Sequence, residues 1–215
     1  MNTAEGTRLD LPIDAKIHAA DTVCGRSVAL ILNPNKDEVT HVAVRLSGIT
    51  NHKVIVPVKS ISRSSEDEIW LDLDCEELSS MPEFVRTDFV EAPMPQEVAG
   101  GALLYWPFVI PEVKKFPVEV EMVPVDELAI HPGVDVISLE GKVGKVDEFL
   151  IDPQSDQISH IVMHEGHLWG KQDVLIPISH VSEIGEHFIR VELDKQQIEA
   201  LPEIPVHRDG SWTSS

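Results

Sequence analysis

Apolar residues along the chain fall in short runs or in alternation with polar residues, the pattern of β-strands rather than of long helices. Val28–Leu32 and Glu148–Ile151 are compact runs, each followed by Asn or Asp and then Pro. Asn or Asp before Pro favours a type I turn. Ile69–Leu73 and Ile189–Leu193 alternate apolar and polar positions. The pattern predicts an all-β fold built from several short strands.

The strand pattern occurs twice. Gly25 has a counterpart in Gly144, and Asp37 has one in Asp156, both at an offset of 119 (144 − 25 and 156 − 37). Self-similarity at a fixed offset indicates an internal repeat. The offset then becomes 120, and the later matches include Pro57 with Pro177, Ile69 with Ile189, Asp74 with Asp194, and Pro82 with Pro202. The repeat spans residues 17–85 and 136–206.

Each repeat changes to helical spacing at its end. Asp74 precedes Glu77 by three residues, as Asp194 precedes Gln197, and this is the capping-box pattern of a helix start. A proline, Pro82 in the first repeat, stops the turn soon afterwards. Several strands and one short helix in about 70 residues predict a small barrel, which protects its own sheet edges.

These features resemble the PRC-barrel family: a glycine before an apolar strand, a proline turn, a second strand, and an apolar–Pro step before a further strand. In the second repeat they are Val143–Val146, Phe149–Pro153, Ile158–Val162 and Leu175–Ile178. The first repeat departs from the pattern, with Cys24-Gly25-Arg26-Ser27 and a loop at 47–53 that keeps only Gly48. The resemblance covers about two-thirds of the chain, and its motifs specify the fold better than the function.

The resemblance implies two tandem PRC-type barrels, each ending in a short helix and joined by a linker rich in proline and aromatic residues. The expected division is an N-terminal extension at 1–16, barrel 1 at 17–85, the linker at 86–135, barrel 2 at 136–206 and a tail at 207–215. Characterised relatives implied by the resemblance are the soluble domain of the photosynthetic reaction-centre H subunit and the C-terminal domain of the ribosome maturation factor. Both are protein-binding modules, and the family implies no catalytic residues.

Net charge, cysteine content and the distribution of apolar residues restrict the possible ligands and the cellular location. The formal net charge of −20 argues against direct binding of nucleic acid, which needs clustered Lys and Arg. Cys24 and Cys75 follow no disulfide-like spacing and are interpreted as reduced thiols. No signal-peptide pattern opens the sequence, and no apolar run approaches the roughly 20 residues of a spanning helix. We expect a cytoplasmic protein, with peripheral membrane association left open.

Residues with catalytic or metal-binding chemistry do not form a recognisable motif. Nucleophile, phosphate-loop and metalloprotease signatures are absent from the sequence. His160 and His164 lie four positions apart on one predicted strand, about 13 Å, which is too far to share an ion. We therefore expect no catalytic residue, no cofactor and no metal ion.

Large aromatic residues provide the candidate binding surface. Tyr105, Trp106 and Phe108 lie in the linker, and Leu168 with Trp169 lies in a loop of barrel 2. Several interpretations stay open: these side chains pack against the barrels, they dock a protein partner, or those of the linker contact a membrane. The sequence favours a non-catalytic protein-binding scaffold or adaptor. Its alternatives are a ribosome-assembly or RNA-processing factor and a peripheral factor of a photosynthetic or electron-transfer membrane complex.

Overall fold

The described part of the chain is mostly β-structure. The computed structural model describes residues 9–20, 22–48, 52–65, 67–93, 113–152, 154–165 and 173–204. The chain divides into two compact units, one made of Met1–Phe84 with Val123–Ser215 and one made of Val85–Met122. The predicted all-β class is confirmed.

The strands and helices follow one another in a repeated order. The first part holds β1 (Leu9–Pro12), β2 (Lys16–Ala19), β3 (Thr22–Asn33), β4 (Glu38–Leu46), β5 (Lys53–Pro57), β6 (Ile61–Ser65), β7 (Glu68–Leu71) and α1 (Cys75–Ser79). The middle holds β8 (Val85–Pro93), β9 (Val113–Glu121) and β10 (Leu128–Ile130). The last part holds β11 (Asp135–Ser138), β12 (Gly141–Ile151), β13 (Ile158–Glu165), β14 (Asp173–Pro177), β15 (Val181–Ile184), β16 (Phe188–Val191), α2 (Lys195–Glu199) and β17 (Glu203–Ile204).

Two sheets of matching topology form the larger unit. The first has the order β5-β4-β3-β2-β7-β6, and the second has the order β14-β13-β12-β11-β16-β15, with β17 beside β14. In each sheet the parallel pair, β2 with β7 or β11 with β16, joins the start of the repeat to its end. The larger unit therefore consists of two barrel-like halves, each followed by its short helix.

Both predicted capping boxes are present. The Asp74 side chain accepts hydrogen bonds from the backbone N–H groups of Glu76 and Glu77, each at 2.8 Å, and the Glu77 carboxylate accepts from the Asp74 N–H at 3.0 Å. Asp194 and Gln197 make the same reciprocal pair at the start of α2. Both helices are only five residues long, so the cap and one buried side chain supply much of their stability.

Two equivalent glycines let neighbouring strands approach closely. A Cβ atom added to Gly144 on β12 would lie 2.6 Å from the His164 carbonyl oxygen and 2.7 Å from Met163 Cγ. The same addition to Gly25 on β3 would collide with the Arg45 carbonyl oxygen on β4. Steric contact between adjacent strands thus explains the glycine in both repeats.

The two halves exchange a strand. β1, which precedes the first half in sequence, pairs with β12 of the second half, with Leu9 opposite Ile151 and Leu11 opposite Phe149. β10, which precedes the second half, pairs with β3 of the first half, with Leu128 opposite Leu32. The two pairings are related by the repeat offset, since 128 − 9 and 151 − 32 both equal 119. Each half is thus completed by a strand that belongs in sequence to the other.

The turns at Asp37 and Asp156 meet at the centre of this exchange. The Val39 N–H donates to the Asp156 carbonyl oxygen at 3.1 Å, and the Ile158 N–H donates to the Asp37 carbonyl oxygen at 2.7 Å. Glu38 and Gln157 form a single antiparallel bridge between these contacts. Because each interaction has its counterpart at the repeat offset, the halves are related by an approximate twofold axis, and one core cluster includes residues from both.

The expectation that both cysteines are reduced thiols is wrong. Cys24 on β3 and Cys75 at the start of α1 form a disulfide across 51 residues of sequence, with their Cα atoms 5.8 Å apart. That distance lies within the usual range for a disulfide. Sequence spacing does not reveal this disulfide, because the fold, and not proximity along the chain, brings β3 beside the start of α1.

Candidate protein-binding surface

The smaller unit is a long β-hairpin. β8 and β9 pair over nine residues each, from Val85 opposite Glu121 to Pro93 opposite Val113. In the part of the chain that the structure describes, no third strand joins them. A two-stranded hairpin is marginally stable in water unless something covers one of its faces.

One face of this hairpin groups apolar side chains beside charged ones. Val90 lies opposite Phe116, and Val118 and Val120 follow on the same side of β9, since residues two apart in a strand share a face. Their exposed fractions are 53% for Val90, 44% for Phe116, 41% for Val118 and 37% for Val120. We call these four residues the hairpin apolar face. Arg86 and Asp88 lie on the β8 side of it and form an ion pair at 3.0 Å.

The opposite face is mixed. Phe89, 64% exposed, lies across from Pro117, and Glu91 pairs with Lys115 at 3.4 Å on the same face. Pro117 sits in the middle of β9 and cannot donate to a ladder, which fits the outer position of an edge strand. The β9 edge is therefore a poor template for a further strand, and the faces are the better candidates for contact.

Clustering distinguishes the hairpin from other exposed apolar residues. Val125 and Leu139 are 87% and 70% exposed, but each is an isolated position in a connecting segment. Single exposed apolar side chains are ordinary, whereas a contiguous group marks a contact surface. The hairpin apolar face is thus the strongest candidate for partner binding among the described residues.

The five side chains predicted for partner binding lie outside the described residues. Tyr105, Trp106 and Phe108 belong to 94–112, which connects β8 to β9 in sequence. Leu168 and Trp169 belong to 166–172, which connects β13 to β14. Their role stays a prediction. The sequence analysis did not predict the hairpin, because the seven prolines from residue 93 to residue 132 favour a linker.

An aromatic and cationic cluster marks the surface of the first half. The His18 ring stacks on Trp70 with centroids 5.0 Å apart, and the Arg63 guanidinium lies 4.1 Å from the Trp70 ring centroid. Glu68 lies 3.4 Å from both Lys16 Nζ and His18 Nε2. Desolvation raises the pKa of Glu68, but the hydrogen bonds and charges of Lys16 and His18 outweigh it, so the pKa lies below its ordinary value. Trp70 is thus held by its own neighbours.

Metal-binding side chains do not cluster in the described ranges. His164 Nδ1 lies 2.7 Å from Asp173 Oδ1 on the neighbouring strand, which is a cross-strand hydrogen bond. Within those ranges, no group of three or more His, Cys, Asp or Glu side chains is placed to hold an ion. Nor is either helix of the described part long and apolar enough to cross a bilayer.

Comparison with known proteins identifies the second half. Residues 133–198 match the family model of the PRC-barrel domain. This range runs from just before β11 to α2, so the exchanged strands β1 and β10 both lie outside it. No curated protein matches the chain. The PRC-barrel is a non-catalytic type of domain and often a protein-interaction module, which indicates a scaffold or adaptor kind of function. The chain therefore contains a PRC-barrel domain, at residues 133–198.

Proposed function

We propose that this protein is a non-catalytic scaffold that binds a protein partner through the hairpin apolar face. The observation that carries the proposal is the group of exposed side chains formed by Val90, Phe116, Val118 and Val120. In the same proposal the first half, residues 17–85, is a second PRC-type barrel that supports the recognised one.

The larger unit supplies the rigid element that a scaffold needs. Reciprocal pairing of β1 with β12 and of β10 with β3 means that neither half can separate without losing a strand. A shared core adds to this, with Leu11, Phe149 and Ile130 fully buried. Such interlocked sheets resist local opening, because several ladders must break together.

In this proposal the hairpin supplies the surface that binds the partner. Covering a valine or phenylalanine side chain completely is worth about 1.5–3 kcal/mol, and these four are roughly half exposed. Covering them together would contribute a few kcal/mol to binding. A partner with an apolar surface would also cover a face of a hairpin that is only marginally stable alone.

Site-specific photocrosslinking in the native host tests the proposal. A photoreactive amino acid at Val118 places the probe on the apolar face, and the same probe at Leu139 provides a control at a position that is more exposed but isolated. We expect one dominant heterologous adduct from position 118 and none from position 139. Phe116→Ser with Val120→Ser, combined with the probe at 118, should remove the adduct.

Three results would contradict the proposal. They are no adduct at position 118, adducts only between two copies of this chain, and an adduct that survives Phe116→Ser with Val120→Ser. Circular dichroism of the double variant checks that the two sheets of the larger unit, which supply most of the β-signal, stay folded.

A further inference from the structure

The disulfide belongs to the first half alone. Cys24 and Cys75 occupy positions that correspond in the second half to Val143 and Lys195, at offsets of 119 and 120. Both halves nevertheless build the same strand order and the same capped helix. The fold therefore does not require the bond, and the second half shows how the helix is held without it.

The two cysteine residues differ in exposure. Cys24 is 7% exposed on β3, whereas Cys75 is half-buried at the first position of α1. Disulfide exchange begins when a thiolate attacks one sulfur, and access decides which. Attack therefore takes place at Cys75 Sγ, and Cys24 is the leaving thiol.

Carboxylates surround the point of attack. Asp74, Glu76 and Glu77 flank Cys75 in sequence and are exposed, and α1 has no basic residue in its last turn. Three negative charges beside Cys75 in sequence repel a thiolate that carries a further negative charge more than one that does not, and salt screens that repulsion. The site therefore discriminates among reductants by charge.

The fold also provides hydrogen-bond acceptors for the reduced Cys24 thiol. The Thr22 carbonyl oxygen lies 3.3 Å from Cys24 Sγ, and the Ala19 carbonyl oxygen lies 3.9 Å from it. Once released, the Cys24 thiol has two carbonyl oxygens close by as acceptors for its hydrogen. Both oxidation states thus avoid an unsatisfied buried polar group.

We propose that Cys24 and Cys75 form a reversible redox pair that controls how firmly α1 is held on the first half. A thiol reductant attacks Cys75 Sγ, the S–S bond breaks, and Cys24 leaves as a thiolate that takes up a proton. A second thiol resolves the mixed disulfide, so that two reductant thiols are oxidised to a disulfide and both cysteines become thiols. α1 then retains its capping box and the burial of Leu78 but loses its covalent attachment to β3.

Hydrogen exchange on the full chain tests the consequence for α1. The Leu78 N–H donates to the Asp74 carbonyl oxygen at 2.9 Å, and in α2 the Ile198 N–H donates to the Asp194 carbonyl oxygen at 3.0 Å. These equivalent amides are a matched pair inside one molecule. Complete reduction should accelerate exchange at Leu78 by roughly tenfold or more and leave Ile198 within about twofold. Cys24→Ser with Cys75→Ser should show the fast Leu78 exchange with or without reductant.

The rates of reduction by thiols of different charge test the proposed attack at Cys75. Neutral 2-mercaptoethanol should reduce the bond several-fold faster than anionic 2-mercaptoethanesulfonate, and high salt should narrow the difference. Peptide mapping of the trapped intermediate should place the adduct on Cys75. Free thiols in the air-oxidised protein, unchanged Leu78 exchange after full reduction, or an adduct on Cys24 would each overturn the proposal.

Discussion

Shortening Leu11 to alanine tests whether the N-terminal strand stabilises the distant half of the chain. Leu11 lies in β1, is fully buried, and pairs with Phe149 of β12, which is also fully buried. Removing part of a wholly buried leucine side chain costs the lost transfer free energy plus a cavity term, about 2–5 kcal/mol together. We expect Leu11→Ala to lower the free energy of unfolding by about that amount.

Two measurements report how Leu11→Ala changes stability. Urea denaturation gives the change in the free energy of unfolding, and hydrogen exchange locates it. Exchange should rise at Phe149–Ile151, in the second half, although the substitution lies in the first eleven residues. Ile130→Ala in β10 is the reciprocal change and should loosen β3 around Leu30, because Ile130 lies opposite Leu30.

Leu139→Ala serves as the control, since Leu139 is 70% exposed and should change stability by less than about 0.5 kcal/mol. A loss below about 1 kcal/mol for Leu11→Ala would refute the reasoning. So would a loss of the expected size whose exchange effect is confined to the first half.

Three other predictions concern single side chains. Gly144→Ala should destabilise the chain by about 1–3 kcal/mol in thermal or urea unfolding, because the added carbon meets the neighbouring backbone, and Gly25→Ala should behave alike. Asp194→Ala should cost about 1 kcal/mol and raise exchange in α2, because it removes the cap. The lowered pKa of Glu68 means that its contribution to stability is complete above its ordinary value of 4.5 and is lost as the pH falls through the folded-state pKa. Glu68→Gln should therefore flatten the acid side of the stability–pH curve; an unchanged curve would contradict this.

Local sequence patterns were sufficient for the repeated elements. Turn residues such as Asn33, alternation such as that of Ile69–Leu73, and the capping pair Asp74 and Glu77 act over a few residues. The structure shows the corresponding turn, with the Lys36 N–H donating to the Asn33 carbonyl oxygen at 3.2 Å, together with the strand and the capping box. These features are predictable because the interactions that create them lie within the segment itself.

Features that depend on distant partners were not predicted. β1 pairs with β12, well over a hundred positions away, and β10 pairs with β3, almost a hundred positions away. Both strands are short and gain their stability from these distant partners. One signal was present, since Leu9–Leu11 and Leu128–Ile130 are both apolar–x–apolar triplets at the repeat offset of 119. That signal extends the repeat but does not show that the strands cross over.

The hairpin apolar face was not among the predicted binding residues. Sequence reasoning selected aromatic residues of the linker together with Leu168 and Trp169, all of which lie outside the described residues and stay predictions. Val118 and Val120 alternate with Glu119 and Glu121, which is a strand pattern, yet Pro117 directly before them argues against a central strand. Pairing in a two-stranded hairpin resolves that conflict, because among the described residues both of its strands are edge strands.

Cleavage between the two strands of the hairpin tests the central claim most directly. A specific protease site introduced at 97–100 lets the folded full-length chain be cut between the halves, after which size-exclusion chromatography with light scattering gives the mass. Because β1 and β10 are exchanged, the cut chain should elute as one species with the mass of the intact protein. Two species, each with the mass of one half, would contradict the account.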